Sequence, residues 1–335
     1  MKLPALGALK SLKLPGTAVR GSGFMCINLL PDRVEVSHVV PHVLASGKER
    51  PEIKRCDSFR RVGGETGILS RLRRELSLDR YRCTTLLKSG DYQIIQVEAP
   101  NVLPAELKNA VRWRLKDMID FPLDEATVDA VAIPSSEGAP GLGTQMLAVA
   151  ARNNVIAATM KPFNDADIPL EIIDIPEFAQ RNIARCVEPE GRGVALLSVD
   201  DRGGLLTFTS GGELYQHRRI DVTLSSLRGA APGEGGGGEV RMELEGPYER
   251  LAMELQRSLD HFERQFPRVP VAKVVVAPVA GADHLRSYLA SKLDLQVELL
   301  YLSEVMDFPD IVELHEPARQ AQCMHTIGAA MRKEG

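Results

Sequence analysis

One pattern, met twice, limits what this chain can fold into: a strand hairpin, a further strand and a helix, each round carrying an inserted piece. In the first round, residues 24–28 and 33–40 read as strands joined across Leu30-Pro31-Asp32-Arg33, with Val34, Val36 and His38 alternating with Glu35 and Ser37. Residues 46–57 read as loop and edge, and a helix over 68–76 follows Gly63-Gly64-Glu65-Thr66-Gly67. In the second round, residues 194–200 read as a buried strand, and 205–210 with 213–220 as a hairpin across Gly211-Gly212. A helix over 248–266 carries Leu251, Leu255, Leu259 and Phe262 on one face, with charges on the others, and Pro267 and Pro270 stop it. Strand 273–279, helix 283–292, strand 296–301 and a helix from about 317 to 331 complete the chain. Strands interleaved with helices imply an α/β protein whose mixed sheets are flanked by helices.

The inserted piece of the first round is the best-formed stretch. Residues 84–88 and 92–98 read as strands across Ser89-Gly90-Asp91, and residues 97–134 then read as strand, turn, long helix and strand. Pro104 suits a first helical turn and Glu106 its positive end. Leu107, Val111, Leu115 and Met118 recur at helical spacing, so the spacing predicts one apolar face. Pro122 is expected to end that helix. Residues 135–143 read as a loop, 145–151 as a strand, 153–163 as a helix, 168–175 as a strand and 176–187 as a helix. Residues 227–239, with four consecutive glycines at 235–238, read as a surface loop of low complexity.

Composition narrows the function. A net charge of −4 and a pI near 6.0 lack the basic footprint of a general nucleic-acid binder. Cys26, Cys56, Cys83, Cys186 and Cys323 form no CxxC pair, and His38 and His42 flank Pro41, so reduced buried thiols are expected and no metal site. No apolar run approaches the roughly 18 residues of a membrane span. Residues 1–22 read as a flexible basic tail with Lys2, Lys10, Lys13 and Arg20. The glycines at 63–67 are not followed by the GK[ST] of a phosphate loop, and no G-x-S-x-G or H-E-x-x-H points to a hydrolase.

Four segments resemble one family. AELKNAVRWRLKDMIDFPLDEATVDAVAIP (105–134) is similar to the signature segment of PilM-type pilus assembly proteins: an acidic residue opening a helix, a tryptophan in it, an I-x-F/I-P stop and a valine-rich strand. PLEIIDIPEFAQRNIAR (169–185), GVALLSVDDRGGLLTFTSGGELYQHRRIDV (193–222) and HTIGAAMR (325–332) resemble three further segments in the same order. Within the family the likeness is greatest to the MshI subgroup of mannose-sensitive haemagglutinin (MSHA) pilus biogenesis. The resemblance covers about residues 23–332. It implies an actin-like (ASKHA) two-domain fold. Residues 23–190 would form the first domain, with an inserted small subdomain at about 91–165. Residues 191–332 would form the second, with the glycine-rich loop at 229–239.

That fold binds nucleotide between its domains, so the family's phosphate positions can be checked in turn. At the first loop, the metal-holding acid is replaced by Asn28, the phosphate glycine by Leu30 and the lysine by Glu35. At the second, the acid is replaced by Ser198 and the glycine by Asp200. Asp200 and Asp201 with Gly203-Gly204 are the surviving acidic candidates there. The adenosine loop reads Ala277-Pro278-Val279, where proline removes a donor. Phosphate cradling needs close backbone approach, which these side chains block. The expectation is therefore no cofactor, no ATP binding and no catalysis.

The resemblance implies instead a cytoplasmic scaffold, recruited to the inner face of the inner membrane. It would dock the cytoplasmic tail of a PilN-like inner-membrane protein and touch the assembly ATPase. Arg112, Trp113, Arg114 and Phe121 are the candidate partner-binding residues, because Trp and Arg are favoured anchors. The opposing reading packs Trp113 into the protein and leaves the arginines solvated. An active actin-like ATPase is the alternative function. Ile27-Asn28-Leu29-Leu30-Pro31 resembles the tail that PilN-type partners insert into PilM, and is read here as a buried strand and turn.

Overall fold

The twofold pattern folds as two five-stranded sheets of one topology. The computed structural model describes residues 21–44, 50–103, 106–134, 145–230, 246–279 and 281–332. The basic tail over residues 1–20, Pro104, the loop at 135–143 and the glycine run at 235–238 lie outside the described residues.

The first sheet contains β1 (Phe24–Leu29), β2 (Arg33–Val40), β3 (Glu52–Arg60), β4 (Arg82–Leu86) and β8 (Leu170–Asp174), in the order β3-β2-β1-β4-β8. β1 pairs antiparallel with β2, from Phe24↔Val39 to Leu29↔Val34, and parallel with β4, which continues parallel to β8. Its core joins Met25, Ile27, Val34 and Val36 to Ile68, Leu69 and Leu72 of helix α1 (Glu65–Leu76). Each of these fully buried aliphatic side chains contributes about 1.5–3 kcal/mol relative to exposure. Ser77, in the left-handed region at φ 52°, caps α1 by donating its N–H to Arg73 O. β3 corrects the sequence reading: residues 52–60 are a nine-residue edge strand where a loop and edge were expected. Its central Arg-Cys-Asp has no apolar alternation, so periodicity passes over it.

Between β4 and β8 lies a three-stranded antiparallel sheet of β5 (Tyr92–Glu98), β6 (Ala126–Ala132) and β7 (Gln145–Arg152), ordered β5-β7-β6. Helix α2 (Leu107–Arg114) covers it. The helix is eight residues, shorter than expected. After Leu115 the chain tightens, with Met118 N–H bonded to Leu115 O at 2.9 Å, and Pro122 instead precedes a 3₁₀ turn at Leu123–Glu125. Ile119 N–H also reaches Leu115 O at 3.2 Å, and the buried face runs Val111, Leu115 and Ile119 at a spacing of four, which leaves Met118 49% exposed. Helix α3 (Asn153–Asp165) follows β7. Its Phe163 is buried in the core of the first sheet, so the piece with its own core is smaller than residues 91–165.

The second sheet contains β9 (Gly193–Asp200), β10 (Gly203–Ser210), β11 (Glu213–Ile220), β12 (Val271–Val276) and β13 (Gln296–Leu299), ordered β11-β10-β9-β12-β13. β9 to β11 form an antiparallel meander, and β12 runs parallel to both β9 and β13. Strand for strand this repeats the first sheet. Gly203, at φ 128°, is required here, since a Cβ would lie 2.8 Å from Ile220 O. Among the described residues, α5 (Leu224–Ala230), α6 (Gly246–Gln265), α7 (Ala282–Lys292), α8 (Leu302–Val305) and α9 (Pro317–Ala330) complete the chain. Phe262 of α6 stacks on Phe208 of β10 with centroids 4.5 Å apart.

The chain forms two units. One holds the described parts of residues 1–40, 53–179 and 329–335; the other holds those of 41–52 and 180–328. The division therefore falls inside α4 (Pro176–Ala184), not at residue 190. The reason is Gln180, whose carboxamide is bonded to β9 and β10. Residues 41–52 are held to the second unit by Arg50. Its guanidinium pairs with Asp307 at 2.6 Å and donates to the carbonyls of Ser303 and Glu304 at the end of α8.

Candidate functional site

The three groups of residues singled out in the sequence lie in three local settings. In the first unit, Asn28 and Glu35 are cross-strand partners at the tip of the β1–β2 hairpin. Glu35 is completely buried. Its Oε1 accepts from Arg33 Nε at 2.6 Å and from Ser58 Oγ at 3.0 Å. Burial alone would pull the Arg33 pKa down, but Glu35 and Asp32 raise it, so the guanidinium stays charged. This glutamate points to its own sheet. Leu30 closes the turn with N–H to Arg33 O at 2.9 Å, and its carbonyl accepts from Arg61. The Ile27–Pro31 run is the end of β1, the middle strand of its sheet, with Ile27 fully buried.

In the second unit, Ser198 and Asp200 sit on β9. Ser198 Oγ donates to Gln180 Oε1 at 2.7 Å. The Gln180 amide nitrogen donates to Leu196 O at 2.7 Å, Leu205 O at 3.1 Å and Thr207 Oγ1 at 3.0 Å. His325 of α9 stands 3.4 Å from Gln180 Oε1. The residue in the metal-acid position is thus spent on a buried carboxamide network. Asp200 is occupied by its own turn: Oδ1 accepts the Arg202 N–H at 2.7 Å, and Oδ2 accepts Arg202 Nε at 3.0 Å and Nη2 at 2.6 Å. Burial pushes the Asp200 pKa up, but Arg202 and then His325 bring it below the usual carboxylate range. On the adenosine side, Ala277 donates its N–H to Leu197 O at 2.8 Å, and both Ala277 and Val279 are buried. Among the described residues no group of three metal-ligating side chains occurs. The geometry offers structural hydrogen bonds where the family pattern has phosphate and metal contacts.

In the inserted sheet, the four candidate partner-binding residues diverge. Trp113 is 68% exposed. Arg112 Nη2 donates to Leu123 O at 2.5 Å and so fixes the turn into β6. Arg114 lies 3.8 Å from Glu98, a solvated pair of little strength. Phe121 packs against the core of this sheet, with the Arg152 guanidinium 4.6 Å from its ring centre. Trp113 therefore faces solvent, while Arg112 and Phe121 serve the scaffold beneath it. Val102, Leu103 and Met118 are also exposed on this stretch, and the sequence reading missed them. Val102 and Leu103 adjoin the turn before α2, and their run with Pro104 was the available signal. Gln180 was missed too; its signal is a polar residue four before Ala184 on the buried side of α4.

Residues 65–200, less than half of the chain, match the family described as type IV pilus assembly protein PilM. A solved PilM–PilN type IV pilus biogenesis complex contains a chain that superposes with a TM-score of 0.68 at 19% identity, covering 92% of this chain and 97% of that one. That likeness shows a shared fold. A Bacteroides thetaiotaomicron protein with an actin-like ATPase fold and unknown function is similar at 8% identity, with 89% and 95% coverage and a TM-score of 0.46. The cytoplasmic domain of EpsL, an inner-membrane component of the Vibrio cholerae type II secretion system, is similar at 16% identity, with 64% and 79% coverage and a TM-score of 0.39. No curated protein sequence matches the chain. No described helix is long and apolar enough to cross a membrane.

Proposed function

We propose that this chain is a PilM-like, non-catalytic scaffold of a type IV pilus assembly machine, of the MSHA type. It binds the cytoplasmic tail of a PilN-like inner-membrane protein, which holds it at the inner face of that membrane, and it contacts the assembly ATPase. One observation carries the non-catalytic part. The side chains at the family's phosphate and metal positions are committed to internal partners, Glu35 to Arg33 and Ser58, Ser198 to Gln180 and Asp200 to Arg202. An exposed Trp113 on the helix that covers a well-packed sheet supports the binding part, since tryptophan is a favoured anchor. The PilM match over residues 65–200 and the likeness to the PilM–PilN complex supply the class of partner.

The test has two arms. Melting the full chain with and without Mg-ATP should show no upward shift, because a ligand that binds only the folded state raises its stability. The tail of the PilN-like protein encoded with this chain should co-purify with the wild type and not with Trp113→Ala. A clear ATP-dependent shift overturns the non-catalytic reading, and retention of the tail by the variant overturns the role of Trp113.

A further inference from the structure

The basic segment ahead of the fold is used neither at the phosphate positions nor on the Trp113 face. Residues 1–20 carry Lys2, Lys10, Lys13 and Arg20 and no acidic residue; the first carboxylate in the chain is Asp32. Without those four cations the net charge of −4 would be −8, so an acidic body carries a basic segment. Leu3, Leu6, Leu9, Leu12 and Leu14 are set among the cations. A stretch that mixes large apolar and basic residues, and is too polar to span a bilayer, has the composition of a segment that lies in a lipid interface.

The fold fixes where this segment leaves it. Gly21 donates its N–H to Arg80 O at 2.8 Å, and a Cβ at Gly21 would strike the Tyr81 ring. Ser22 O is 2.8 Å from His38 Nε2, whose ring meets Tyr81 edge-on. The segment therefore starts beside the run RLRRELSLDRYR (71–82), which ends α1 and enters β4. Arg71 of that run is 3.8 Å from Glu75, and Arg82 is 2.8 Å from Glu171. Arg73, Arg74 and Arg80 make no ion pair among the described residues, and Arg74 and Arg80 are exposed. With Arg20, one residue before Gly21, they outweigh Asp79 and Asp167, the exposed carboxylates of the adjoining turns.

We propose that residues 1–20, together with Arg74 and Arg80, form a binding surface for anionic phospholipid. The leucines supply apolar area to bury at the headgroup boundary, and each cation adds an attraction to a negative leaflet that salt screens. The apolar component favours lipid over a nucleic acid or an acidic protein, which the cations alone would also attract. Neither Trp113 nor any partner protein enters this contact, so it stands or falls apart from the docking of a PilN-like tail.

The probe is flotation of the full chain with vesicles of phosphatidylcholine, with and without phosphatidylglycerol. The wild type should float with the phosphatidylglycerol vesicles only, and less as salt rises. Removing one tail cation should weaken binding about fivefold, and Lys2→Gln, Lys10→Gln, Lys13→Gln and Arg20→Gln together should abolish it. Leu6→Ser, Leu9→Ser and Leu12→Ser together keep every charge and should also weaken it strongly. Arg74→Gln with Arg80→Gln, at two exposed positions, should weaken it by a smaller factor, and an unchanged melting transition shows that each variant is folded. No flotation of the wild type, or flotation unaffected by the four tail neutralisations, overturns the proposal. Undiminished binding by the serine variant overturns lipid as the partner and leaves a general polyanion site. Undiminished binding by the Arg74 and Arg80 variant overturns their part in the surface.

Discussion

Ser198 Oγ gives its proton to Gln180 Oε1 at 2.7 Å, and the Gln180 amide in turn donates to three acceptors on β9 and β10. One helix residue thereby satisfies the interior of a hairpin. Such a network is stabilising only while every member is satisfied. Gln180→Ala removes a fully buried side chain, leaves Leu196 O, Leu205 O and Thr207 Oγ1 short of a donor, and opens a cavity. Urea unfolding should show a loss of roughly 2–4 kcal/mol, against about 1 kcal/mol for Ser198→Ala. Equal small losses would mean that the network contributes nothing beyond packing.

Restoring the family residue at position 35 should not restore a phosphate site. Glu35→Lys places a second cation beside Arg33 at a position with no solvent exposure, and deprives Ser58 of its acceptor. The expected cost is about 3–5 kcal/mol, typical of a broken buried pair, with no gain of Mg-ATP affinity. Denaturation midpoints and nucleotide titration of the same preparation check both halves.

Trp113 and Leu115 are two residues apart and should behave oppositely. Trp113→Ala removes a ring that is 68% exposed, so stability should stay within about 0.5 kcal/mol of wild type. Leu115→Ala empties a fully buried position beneath α2 and should cost roughly 2–5 kcal/mol. A large loss at Trp113 in thermal or urea unfolding would return it to a packing role.

The duplicated hairpin–strand–helix pattern was legible because it is written in alternation and spacing. The settings of the four candidate partner-binding residues were legible only in part. Adjacent residues of a short helix point around its axis, so naming Arg112, Trp113 and Arg114 together could not say that Trp113 and Arg114 are exposed while Arg112 ties down Leu123 O. Met118 and Ile119 exchanged roles because positions three and four after Leu115 both fit helical spacing, and the buried face continues at four. The residues at the family's phosphate positions were readable one by one. The partners that occupy them were not, since Gln180 and Ser198 are 18 residues apart and Glu35 and Ser58 are 23 apart. Those contacts depend on the sheets being formed.

His38 should make stability depend on pH. It is buried in β2, with Nε2 2.8 Å from Ser22 O and its ring against Tyr81. Burial lowers its pKa from 6.5, the Ser22 carbonyl partly offsets this, and Arg55 and Lys54 lower it further. In the window between that depressed folded value and 6.5, the unfolded chain binds more protons than the folded one, so stability rises with pH. Its contribution is complete above the unfolded pKa and declines as pH falls through the window. Urea midpoints measured across mildly acidic pH should therefore fall more steeply in wild type than in His38→Asn, which has no proton to bind. Asp200, whose folded pKa is depressed, adds a second decline below its ordinary 3.8 that Arg202→Ala should reduce. Parallel wild-type and His38→Asn curves through the mildly acidic range would show that the imidazole titrates alike in both states.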